Sequence, residues 1–453
     1  MYEPSAKLIE RFPEGAVTPP PSKSVSHRAL ICAALAGGER AVRRVKNIGA
    51  SDDIDATRRG IEIIRSGDNS RAIDCGESGS TLRFLIPLAG LDGREWVFRT
   101  KGRLIDRPLD IYEDIFRSRG GQLEKKALAK DAEGESASGG AYTGEIRVKG
   151  PLSPGRYEMA GNVSSQFISG MLMALPLLGE GSEIILTTPL ESGDYVRLTT
   201  DVMYSFGVAV REKSDGGMAG DPEFALAADT ASITGWEIPG GCAYQSVRYS
   251  VESDWSQAAF FLCAGALGRR VSVAGMSPGS VQGDMRILGI LKDAGADVDA
   301  EMGLIRGRGT AVFRALAPHE GLRAVTVDAT DIPDLVPPIA ALACYLDGES
   351  RIENAGRLRL KESDRLEALA RELGNIGADI RVEGDSLVIA GRKRLSGGNA
   401  DAHGDHRIAM ALSVAAIGCE SPVGLTGWES VSKSYPNFWH DFEKTEKYKD
   451  GPA

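Results

Sequence analysis

The segment LEALARELGNIGADIRVE (366–383) contains the signals of a helix, a turn and a strand in that order. Before Gly377 the apolar residues recur three and four positions apart, as on one face of an amphipathic helix, and after it they alternate with charged residues. A glycine directly after the last helical turn suits the left-handed conformation that ends many helices. The segment therefore predicts a helix followed by a strand with one buried face.

The same succession occurs along most of the chain. MRILGILKDAGADVDAE (285–301) and TTDVMYSFGVAVREK (199–213) repeat it closely, and IDATRRGIEIIRSG and LDIYEDIFRSRGG share its helical part. Gly121, Gly207, Gly295 and Gly377 are 86, 88 and 82 residues apart. So regular a period predicts repeated α/β subdomains, since it is too long for a solenoid of short repeats.

Composition limits the class of protein. The chain has 453 residues, and 53 Lys and Arg against 63 Asp and Glu give a net charge of −10, which argues against a general nucleic-acid binder. The six cysteines are scattered, without metal-ligand spacing, and most lie in apolar surroundings. We expect a cytoplasmic protein without a membrane span, with a solvated loop at 132–142 and a polar tail at 443–453.

Cations stand where the local sequence alone does not favour them. In PPPSKSVSHRALICAALAGG (19–38), Lys23 and Arg28 open an apolar helix. A positive side chain opposes the helix dipole there, so the arrangement predicts an anionic ligand. Four more cations lie near helix starts or turns: Arg107, Arg365, Arg407 and Lys433.

Small polar residues and a few acids accompany these cations. Ser80 and Ser164–Gln166 lie at the starts of apolar helices, while Asp334 and Glu362 are acids available for proton transfer. The sequence contains no metal-ligand cluster, phosphate-loop motif or dinucleotide fingerprint. Together these features predict a cationic cleft that performs acid–base chemistry on small phosphates or carboxylates.

The motifs jointly resemble those of the 3-phosphoshikimate 1-carboxyvinyltransferase (EPSP synthase) family. They stand in the family's order over residues 19–438, among them SKSVSHR, GESGSTLRFL, DRPLDIY, GNVSSQF, VESDWSQ, DIPDLVPP, RLKESDR, GDHRIAM and SKSYPNF. The resemblance implies an α/β fold of two lobes, each with three βαβαββ units. Residues 1–21 and 251–453 would form a discontinuous first lobe and residues 22–250 the second, with the active site in the cleft between them.

The resemblance also implies the reaction and its residues. The enolpyruvyl group of phosphoenolpyruvate moves to the 5-hydroxyl of shikimate 3-phosphate, without metal or cofactor, in a monomer. The implied catalytic residues are Lys23, Asp334, Glu362 and Lys433. Those implied for shikimate 3-phosphate are Lys23, Ser24, Arg28, Ser164, Ser165, Gln166, Ser192, Asp334 and Lys361, with Tyr195 a weaker candidate. Those implied for phosphoenolpyruvate are Lys23, Gly79, Ser80, Arg107, Gln166, Arg365, Arg407 and Lys433.

Within this scheme Asp334 is the expected base at the 5-hydroxyl, while Glu362 and Lys433 both remain candidates for protonating the methylene. Three residues depart from common patterns of the family, namely Glu77, Phe84 and Arg357, so sensitivity to the inhibitor glyphosate stays open. Two other functions also stay open. One is the related enolpyruvyl transfer to UDP-N-acetylglucosamine, but the loop cysteine and the early Lys-x-x-x-Asn of that transferase are not visible in this sequence. The other is polyanion binding without catalysis, against which the presence of Asp334, Glu362 and Lys433 argues.

Overall fold

The computed structural model describes residues 3, 5–128, 141–214, 217–218, 233–305, 308–318 and 321–444. The chain divides into two compact units. Met1–Pro21 and Glu252–Ala453 form one, here called the split unit, and Ser22–Val251 form the continuous unit. The loop predicted at 132–142 and the tail predicted at 443–453 lie outside the described residues except at 141–142 and 443–444.

Helices account for much of each unit. In chain order they are α1 (Lys23–Val42), α2 (Asp52–Ser66), α3 (Gly79–Ala89), α4 (Asp110–Ser118), α5 (Ser165–Ala174), α6 (Gly193–Ser205), α7 (Trp255–Ala266), α8 (Ile287–Asp293), α9 (Val336–Ala343), α10 (Arg365–Asn375), α11 (His406–Ala415) and α12 (Phe438–Phe442).

Strands alternate with these helices along the chain. They are β1 (Lys7–Ile9), β2 (Gly15–Val17), β3 (Val45–Lys46), β4 (Ile73–Asp74), β5 (Glu95–Thr100), β6 (Gln122–Ala127), β7 (Gly144–Lys149), β8 (Arg156–Met159), β9 (Ser182–Leu186), β10 (Arg211–Ser214), β11 (Gly217–Met218), β12 (Ile233–Ile238), β13 (Tyr249–Ser250), β14 (Val271–Met276), β15 (Asp297–Ile305), β16 (Arg308–Leu316), β17 (Thr326–Asp328), β18 (Glu349–Glu353), β19 (Asp379–Glu383), β20 (Ser386–Ala390), β21 (Gly398–Asp401) and β22 (Val423–Thr426).

One sheet topology is repeated four times. The strand orders β17-β18-β20-β19, β4-β5-β7-β6, β2-β14-β16-β15 and β8-β9-β12-β10 are equivalent, and β11 extends the last of them. In each sheet the first two strands are parallel and the other contacts are antiparallel. Parallel neighbours need a crossover, which the intervening helix provides. These are βαβαββ units, as predicted.

The two remaining sheets are smaller in the described part of the chain. The split unit has a three-stranded sheet, β1-β22-β21, whose antiparallel strand β1 comes from the N-terminal segment. The continuous unit has only the parallel pair β13-β3, because the chain passes from α2 directly into β4 of the next sheet. The prediction of six α/β units, three in each half, is therefore confirmed, with two of them reduced.

The periodic glycines end helices as predicted. Gly207, Gly295 and Gly377 follow α6, α8 and α10 with φ values of +83°, +91° and +103°. At the earliest position the left-handed residue is Gly120, with φ +76°, rather than Gly121. Side chains with a Cβ rarely adopt this conformation, which explains why the glycines recur at these turns.

The core of each unit surrounds apolar helices. Every residue of α7, α9 and α11 is buried, as is nearly all of α3 and α5. Such helices have no solvated face, and their N-terminal ends carry the polar residues singled out from the sequence. The architecture thus places several of the predicted motifs, GESGSTLRFL, GNVSSQF, VESDWSQ, DIPDLVPP and GDHRIAM among them, at the first turn of a buried helix or in the turn before it.

Cysteine burial follows the sequence prediction for four of the six thiols. Cys32, Cys75, Cys263 and Cys344 are buried, and burial raises their pKa values, so the thiols stay protonated. Cys242 and Cys419 are half-buried. Among the described helices, none combines the length and apolar character that crossing a bilayer requires.

Candidate active site

Several helices of the continuous unit begin at a serine, and three of them, α1, α3 and α5, follow the predicted motifs. The side chains of Ser22, Ser78 and Ser164 accept hydrogen bonds from backbone N–H groups in the first turns of α1, α3 and α5. None of the three helices has an acidic residue in its first turn. The positive ends of these helices therefore receive no counter-charge from their own first turns, which favours an anionic ligand.

Arg28 is fixed by oxygen atoms of uncharged groups. Its Nε donates to Thr199 Oγ1 at 2.7 Å, Nη1 donates to the Ser24 carbonyl at 2.8 Å, and Nη2 donates to the Tyr195 carbonyl at 2.9 Å. Ser169 Oγ lies 3.4 Å from Nη2. Burial lowers the pKa of Arg28 to about 10, so the guanidinium keeps its charge at neutral pH.

Lys23, in the first turn of α1, contacts an acid. Its Nζ lies 2.9 Å from Asp53 Oδ2, and both side chains are about one-fifth exposed, at 21% and 18%. The Asp53 carbonyl also accepts from Thr81 Oγ1 at 3.2 Å, which connects α2 to α3. Lys23 therefore occupies a defined position while part of its surface remains accessible.

Because Gly79 has no side chain, two guanidinium groups can lie close to the start of α3. A Cβ added at Gly79 would come within 2.8 Å of Arg107 Nη1 and 3.2 Å of Arg83 Nη1. Arg83 Nη1 also donates to Gln166 Oε1 at 2.8 Å, and Gln166 Nε2 donates to Ser80 Oγ at 3.0 Å. The start of α3, the start of α5 and the turn before α4 thus form one polar cluster.

Ser192 has an unusual backbone conformation for its residue type. It precedes α6 with φ +54°, and its side chain makes no capping hydrogen bond. A non-glycine residue in this region carries strain, which is common where a side chain must be held for binding. Ser165 is the first residue of α5 and is buried, whereas Tyr195 in α6 is half-buried.

Asp334 is the centre of a charged cluster in the split unit. Its Oδ2 accepts from Arg407 Nη2 at 3.0 Å, and its Oδ1 accepts from Arg365 Nη1 at 3.3 Å. Lys361 Nζ lies 3.7 Å from Oδ1. Asp334 belongs to a short 3₁₀ helix, Pro333–Leu335, that leads into the buried helix α9.

Arg365 connects three carboxylates. Its side chain is only 2% exposed, and it contacts Asp405 Oδ2 at 2.8 Å, Glu362 Oε2 at 2.6 Å and Asp334 as above. Asp405 is also the N-cap of α11, accepting from the Arg407 backbone N–H at 2.9 Å. A buried guanidinium with several charge-assisted hydrogen bonds holds a single geometry.

Arg407 makes a second contact, and Lys433 is a further cation of this cluster. Arg407 Nη2 also donates to Ser256 Oγ at 2.9 Å, which connects the starts of α11 and α7. Lys433, at the end of a 3₁₀ helix, donates from Nζ to the Gly404 carbonyl at 3.0 Å. Lys433 thereby lies beside the turn that precedes Asp405.

The pKa values of Asp334 and Lys361 are both lowered, but by different causes. Burial disfavours ionised Asp334, but Arg407, Lys361 and Arg365 outweigh it and hold the pKa of Asp334 well below its usual range. Burial lowers the pKa of Lys361 to about 8, against the opposing effect of Asp334. Strongly shifted groups at helix starts are typical of catalytic sites.

The two clusters have complementary chemical capacities. The continuous unit offers cations, hydroxyls and helix N-termini, which bind phosphate and carboxylate oxygens. The split unit adds an ionised carboxylate, a lysine that can lose its proton near neutral pH, and Glu362. Each unit thus contains groups suited to polyanions, and the split unit also contains groups suited to proton transfer.

Comparisons with known proteins agree with this chemistry. The family model of EPSP synthase (3-phosphoshikimate 1-carboxyvinyltransferase) matches residues 12–442. The chain is 41% identical over 446 residues to the 3-phosphoshikimate 1-carboxyvinyltransferase of Clostridium kluyveri, covering 95% of this chain and 94% of the relative. The enzyme of Clostridium acetobutylicum is 38% identical over 451 residues, with 95% of each chain covered.

The chain belongs to the EPSP synthase family. The identification made from the sequence motifs is therefore confirmed, as is the expected transferase activity of the shikimate pathway. That activity moves the enolpyruvyl group of phosphoenolpyruvate to shikimate 3-phosphate in aromatic amino-acid biosynthesis.

Solved structures support the fold of the family. EPSP synthase from Acinetobacter baumannii matches with a TM-score of 0.70 and 22% identity, covering 96% of each chain. The enolpyruvyl transferase NikO from Streptomyces tendae matches with a TM-score of 0.63 and 18% identity, covering 97% of each chain. At these identities the likeness concerns the fold alone.

The predicted site residues occupy two clusters, one in each unit. The structure places Lys23, Ser24, Arg28, Gly79, Ser80, Arg107, Ser164, Ser165, Gln166, Ser192 and Tyr195 in the continuous unit. It places Asp334, Lys361, Glu362, Arg365, Arg407 and Lys433 in the split unit. Within each unit most of these side chains are connected by the contacts described above.

Sequence reasoning missed several partners of these residues. Arg83 is 6% exposed and donates a hydrogen bond to Gln166. Its position inside the apolar segment STLRFLIPLA indicates a buried arginine that needs a polar partner. Asp405 lies in the motif GDHRIAM, where an acid before an apolar helix is an ordinary cap, yet it accepts a hydrogen bond from Arg365. Asp53 gave no signal of its own, because the segment SDDID reads as an ordinary acidic helix start.

The residues that depart from family patterns have distinct environments. Phe84 is buried, and the Arg28 guanidinium lies 5.0 Å from the centre of its ring. Glu77 is exposed and lies against Gly102, where an added Cβ would come within 2.9 Å of its Cδ. Arg357 is half-buried and lies four residues before Lys361, and its charge contributes to the lowered pKa of that lysine.

Proposed function

We propose that the clusters of both units act on the same substrates and carry out the family's reaction with the residues predicted from the sequence. The two units would then be the lobes predicted at 1–21 with 251–453 and at 22–250. The observation that carries this proposal is the contact of Asp334 with Arg407, Arg365 and Lys361. It combines a candidate base with cations for an anionic substrate.

Phosphate recognition falls mainly to the continuous unit. Ser164, Ser165, Gln166 and Ser192 would hold the phosphate of shikimate 3-phosphate, with Lys23, Ser24 and Arg28 holding its other polar groups. Serine-capped helix starts support this role, because their N–H groups and dipoles favour phosphate oxygens and the capping residue itself adds no negative charge.

Phosphoenolpyruvate would be bound by cations of both units. Arg107 and Lys23 belong to the continuous unit, and Arg365, Arg407 and Lys433 belong to the split unit. Gly79 supports this role through its lack of a side chain, since a Cβ would reach the Arg107 guanidinium. Phosphate leaves as the enolpyruvyl group is transferred, so these charges would also stabilise the departing group.

Asp334 would accept the proton of the 5-hydroxyl. In the ligand-free cluster its cations make it a very weak base. Arg365 and Arg407 are also the proposed ligands of phosphoenolpyruvate. When their charge is shared with that anion, the pKa of Asp334 rises and the carboxylate becomes a better base. Lys361 would hold the same hydroxyl.

Two groups can supply a proton to the methylene of phosphoenolpyruvate. Glu362 Oε2 lies 2.6 Å from Arg365 Nη2, and Lys433 Nζ lies 3.0 Å from the Gly404 carbonyl. Addition of the hydroxyl at carbon 2 requires protonation at carbon 3, and elimination later removes a proton from the new methyl group. Exchange of solvent deuterium into phosphoenolpyruvate, compared between Glu362→Gln and Lys433→Met, distinguishes the two.

Phosphate release tests the proposed substrates. We expect inorganic phosphate to appear when the protein is mixed with shikimate 3-phosphate and phosphoenolpyruvate. Release with UDP-N-acetylglucosamine in place of shikimate 3-phosphate would overturn the proposal in favour of the related transferase. Binding of shikimate 3-phosphate without release from either mixture would indicate a non-catalytic polyanion-binding protein.

We further propose that the chain works as a monomer in the cytoplasm and binds no nucleic acid. The large apolar side chains exposed in the described residues are few, namely Leu8, Tyr204, Met302, Leu316 and Leu360. The net charge of −10 opposes binding to a phosphate backbone. Sedimentation of the protein alone would test the monomer, sedimentation with duplex DNA would test nucleic-acid binding, and cell fractionation would test the compartment.

A further inference from the structure

A second polar network in the split unit lies around Glu372. Its side chain is only 4% exposed, yet Oε1 is 2.7 Å from His403 Nε2, while Oε2 accepts from Asn375 Nδ2 at 3.0 Å and from the Asp401 backbone N–H at 3.1 Å. Arg371 Nε lies 3.0 Å from Oε1, and Arg371 Nη2 lies 2.8 Å from His403 Nε2. Although burial opposes ionisation, these hydrogen bonds hold the pKa of Glu372 below its usual range.

The network fixes a five-residue turn, Asp401–Asp405, between β21 and α11. His403 donates its backbone N–H to Asp401 Oδ1 at 2.8 Å, and it has φ +52°. Gly404 follows with φ +64°. Two consecutive left-handed residues are costly when one of them is not glycine, so contacts outside the turn must hold this conformation.

Helix α10 holds both ends of this turn. Glu372 binds Asp401 and His403 at one end, and Arg365 binds Asp405 at the other. Arg365 and Glu372 are seven residues apart, which places them on one face of the helix. The carbonyl of Gly404, in the middle of the turn, accepts from Lys433 Nζ at 3.0 Å.

We propose that Glu372 and His403 are positioning residues for Lys433, acting through the Gly404 carbonyl. The inference rests on the proposed function, in which Lys433 contacts phosphoenolpyruvate. Neither residue needs to touch a substrate. Together they hold the turn that orients the Lys433 ammonium group, and an error of about 1 Å in such a group is enough to slow an enzyme substantially.

Glu372→Gln tests this role with little change of shape. We expect the KM for phosphoenolpyruvate to rise about tenfold while the KM for shikimate 3-phosphate changes less than about twofold. His403→Ala should raise the KM for phosphoenolpyruvate about threefold. His403→Gln, whose side-chain amide can both donate to Glu372 and accept from Arg371, should restore it. Glu349→Gln is the matched control, because this exposed carboxylate of the same unit pairs only with Arg381 among the contacts described.

A double-mutant cycle separates positioning from general damage. In a Lys433→Met background, Glu372→Gln should change the KM for phosphoenolpyruvate less than about twofold, because the residue through which it acts is gone. Independent effects that multiply in the double variant would overturn the inference. So would an equal rise of both KM values in Glu372→Gln.

Hydrogen–deuterium exchange distinguishes failure of this inference from failure of the proposed function. Exchange at 401–405 should be faster in Glu372→Gln than in the parent protein, since the Asp401 N–H loses its charged acceptor. Unchanged exchange at 401–405 would refute the claim that Glu372 stabilises the turn. If Lys433→Met alone leaves the KM for phosphoenolpyruvate unchanged, the role proposed for Lys433 fails, and this inference fails with it even where exchange is faster.

Discussion

The two candidate clusters differ in how their helices are capped and how their cations are neutralised. In the continuous unit α1, α3 and α5 begin at serines, whereas α7, α10 and α11 of the split unit begin at Asp254, Asp364 and Asp405. A serine satisfies backbone N–H groups without adding charge, but an aspartate also neutralises the helix dipole. The continuous unit therefore keeps its positive helix ends available for ligands.

The partners of the cations follow the same division. Arg28 donates to hydroxyl and carbonyl oxygens, and Arg83 donates to the Gln166 amide and the Pro108 carbonyl. In the split unit Arg365 contacts three carboxylates, and Arg407 contacts Asp334. In the cluster of the continuous unit, Lys23 differs from Arg28 in that it contacts a carboxylate, Asp53.

This contrast explains how a chain with a net charge of −10 can bind two anionic substrates. One cluster retains excess positive charge and suits firm phosphate binding, while the other is an ion-pair network whose members can exchange partners. Since proton transfer needs groups whose pKa changes during the reaction, the split unit is where we expect the acid–base steps. Substitutions in the two clusters should consequently affect different kinetic constants.

The largest effect is expected for Asp334→Asn. The amide keeps the shape of the side chain but removes both the candidate base and the counter-charge of three cations. Because general base catalysis contributes about 10²–10⁴-fold, we expect kcat to fall about 10³-fold. Stopped-flow measurement of phosphate release gives this value. An unchanged kcat with a higher KM would mean that Asp334 only binds substrate, and it would remove the distinction between the clusters.

Arg107→Ala and Lys23→Ala should produce the next largest effect, mainly on binding. Loss of a charge-assisted contact to a desolvated anion costs about 2–4 kcal/mol, so kcat/KM for phosphoenolpyruvate should fall about 10²-fold or more. Turnover at ordinary substrate concentrations would then be hard to detect. Arg43→Ala is the control, because Arg43 ends α1 with its side chain 76% exposed. Near-native turnover in either site variant would refute the role assigned to the continuous unit.

Gly79→Ala should have a smaller and more selective effect. The new Cβ would lie 2.8 Å from Arg107 Nη1, so the guanidinium must move by a few tenths of an ångström. We expect the KM for phosphoenolpyruvate to rise about tenfold, with little change for shikimate 3-phosphate. Gly93→Ala is the control, since a Cβ there meets nothing within 4 Å. Equal changes for both substrates would show that the two are not bound by separate groups.

The sequence predicted the repeated units and the motifs because both depend on local patterns. Glycines after helices and alternating strands defined the α/β units, and cations at helix starts identified the anion-binding segments. Partners separated along the chain were harder to predict. The contact between Arg365 and Asp405 joins residues 40 positions apart, and that between Lys23 and Asp53 joins residues 30 positions apart.

The contrast in capping was visible in the sequence but not interpretable from it. Ser78 and Asp405 both precede apolar helices, and either residue type is an ordinary N-cap. Only the structure shows that Asp405 also binds Arg365, while Ser78 accepts from the hydroxyl and backbone N–H of Thr81. Local sequence preference determines which residue caps the helix. Tertiary contacts determine whether a charged cap also forms an ion pair with a distant residue.

The smallest expected effect is a pH dependence that originates in the split unit alone. Lys361 has a pKa lowered to about 8, first by burial and also by Arg365 and Arg357. Below pH 8 the ammonium form predominates and can bind the substrate, and above pH 8 the charge is lost. The KM for shikimate 3-phosphate should therefore be constant below about pH 8 and rise severalfold above it. Initial rates from pH 6 to 9.5 would give the profile.

Two variants assign this inflection to Lys361. Lys361→Arg should remove it, because a guanidinium stays charged throughout the range. Asp334→Asn should move it to lower pH, since the Asp334 carboxylate raises the pKa of Lys361 and an amide does not. An inflection that persists in Lys361→Arg, or that moves upward in Asp334→Asn, would place the titrating group elsewhere. The ion-pair network of the split unit would then not control binding near neutral pH.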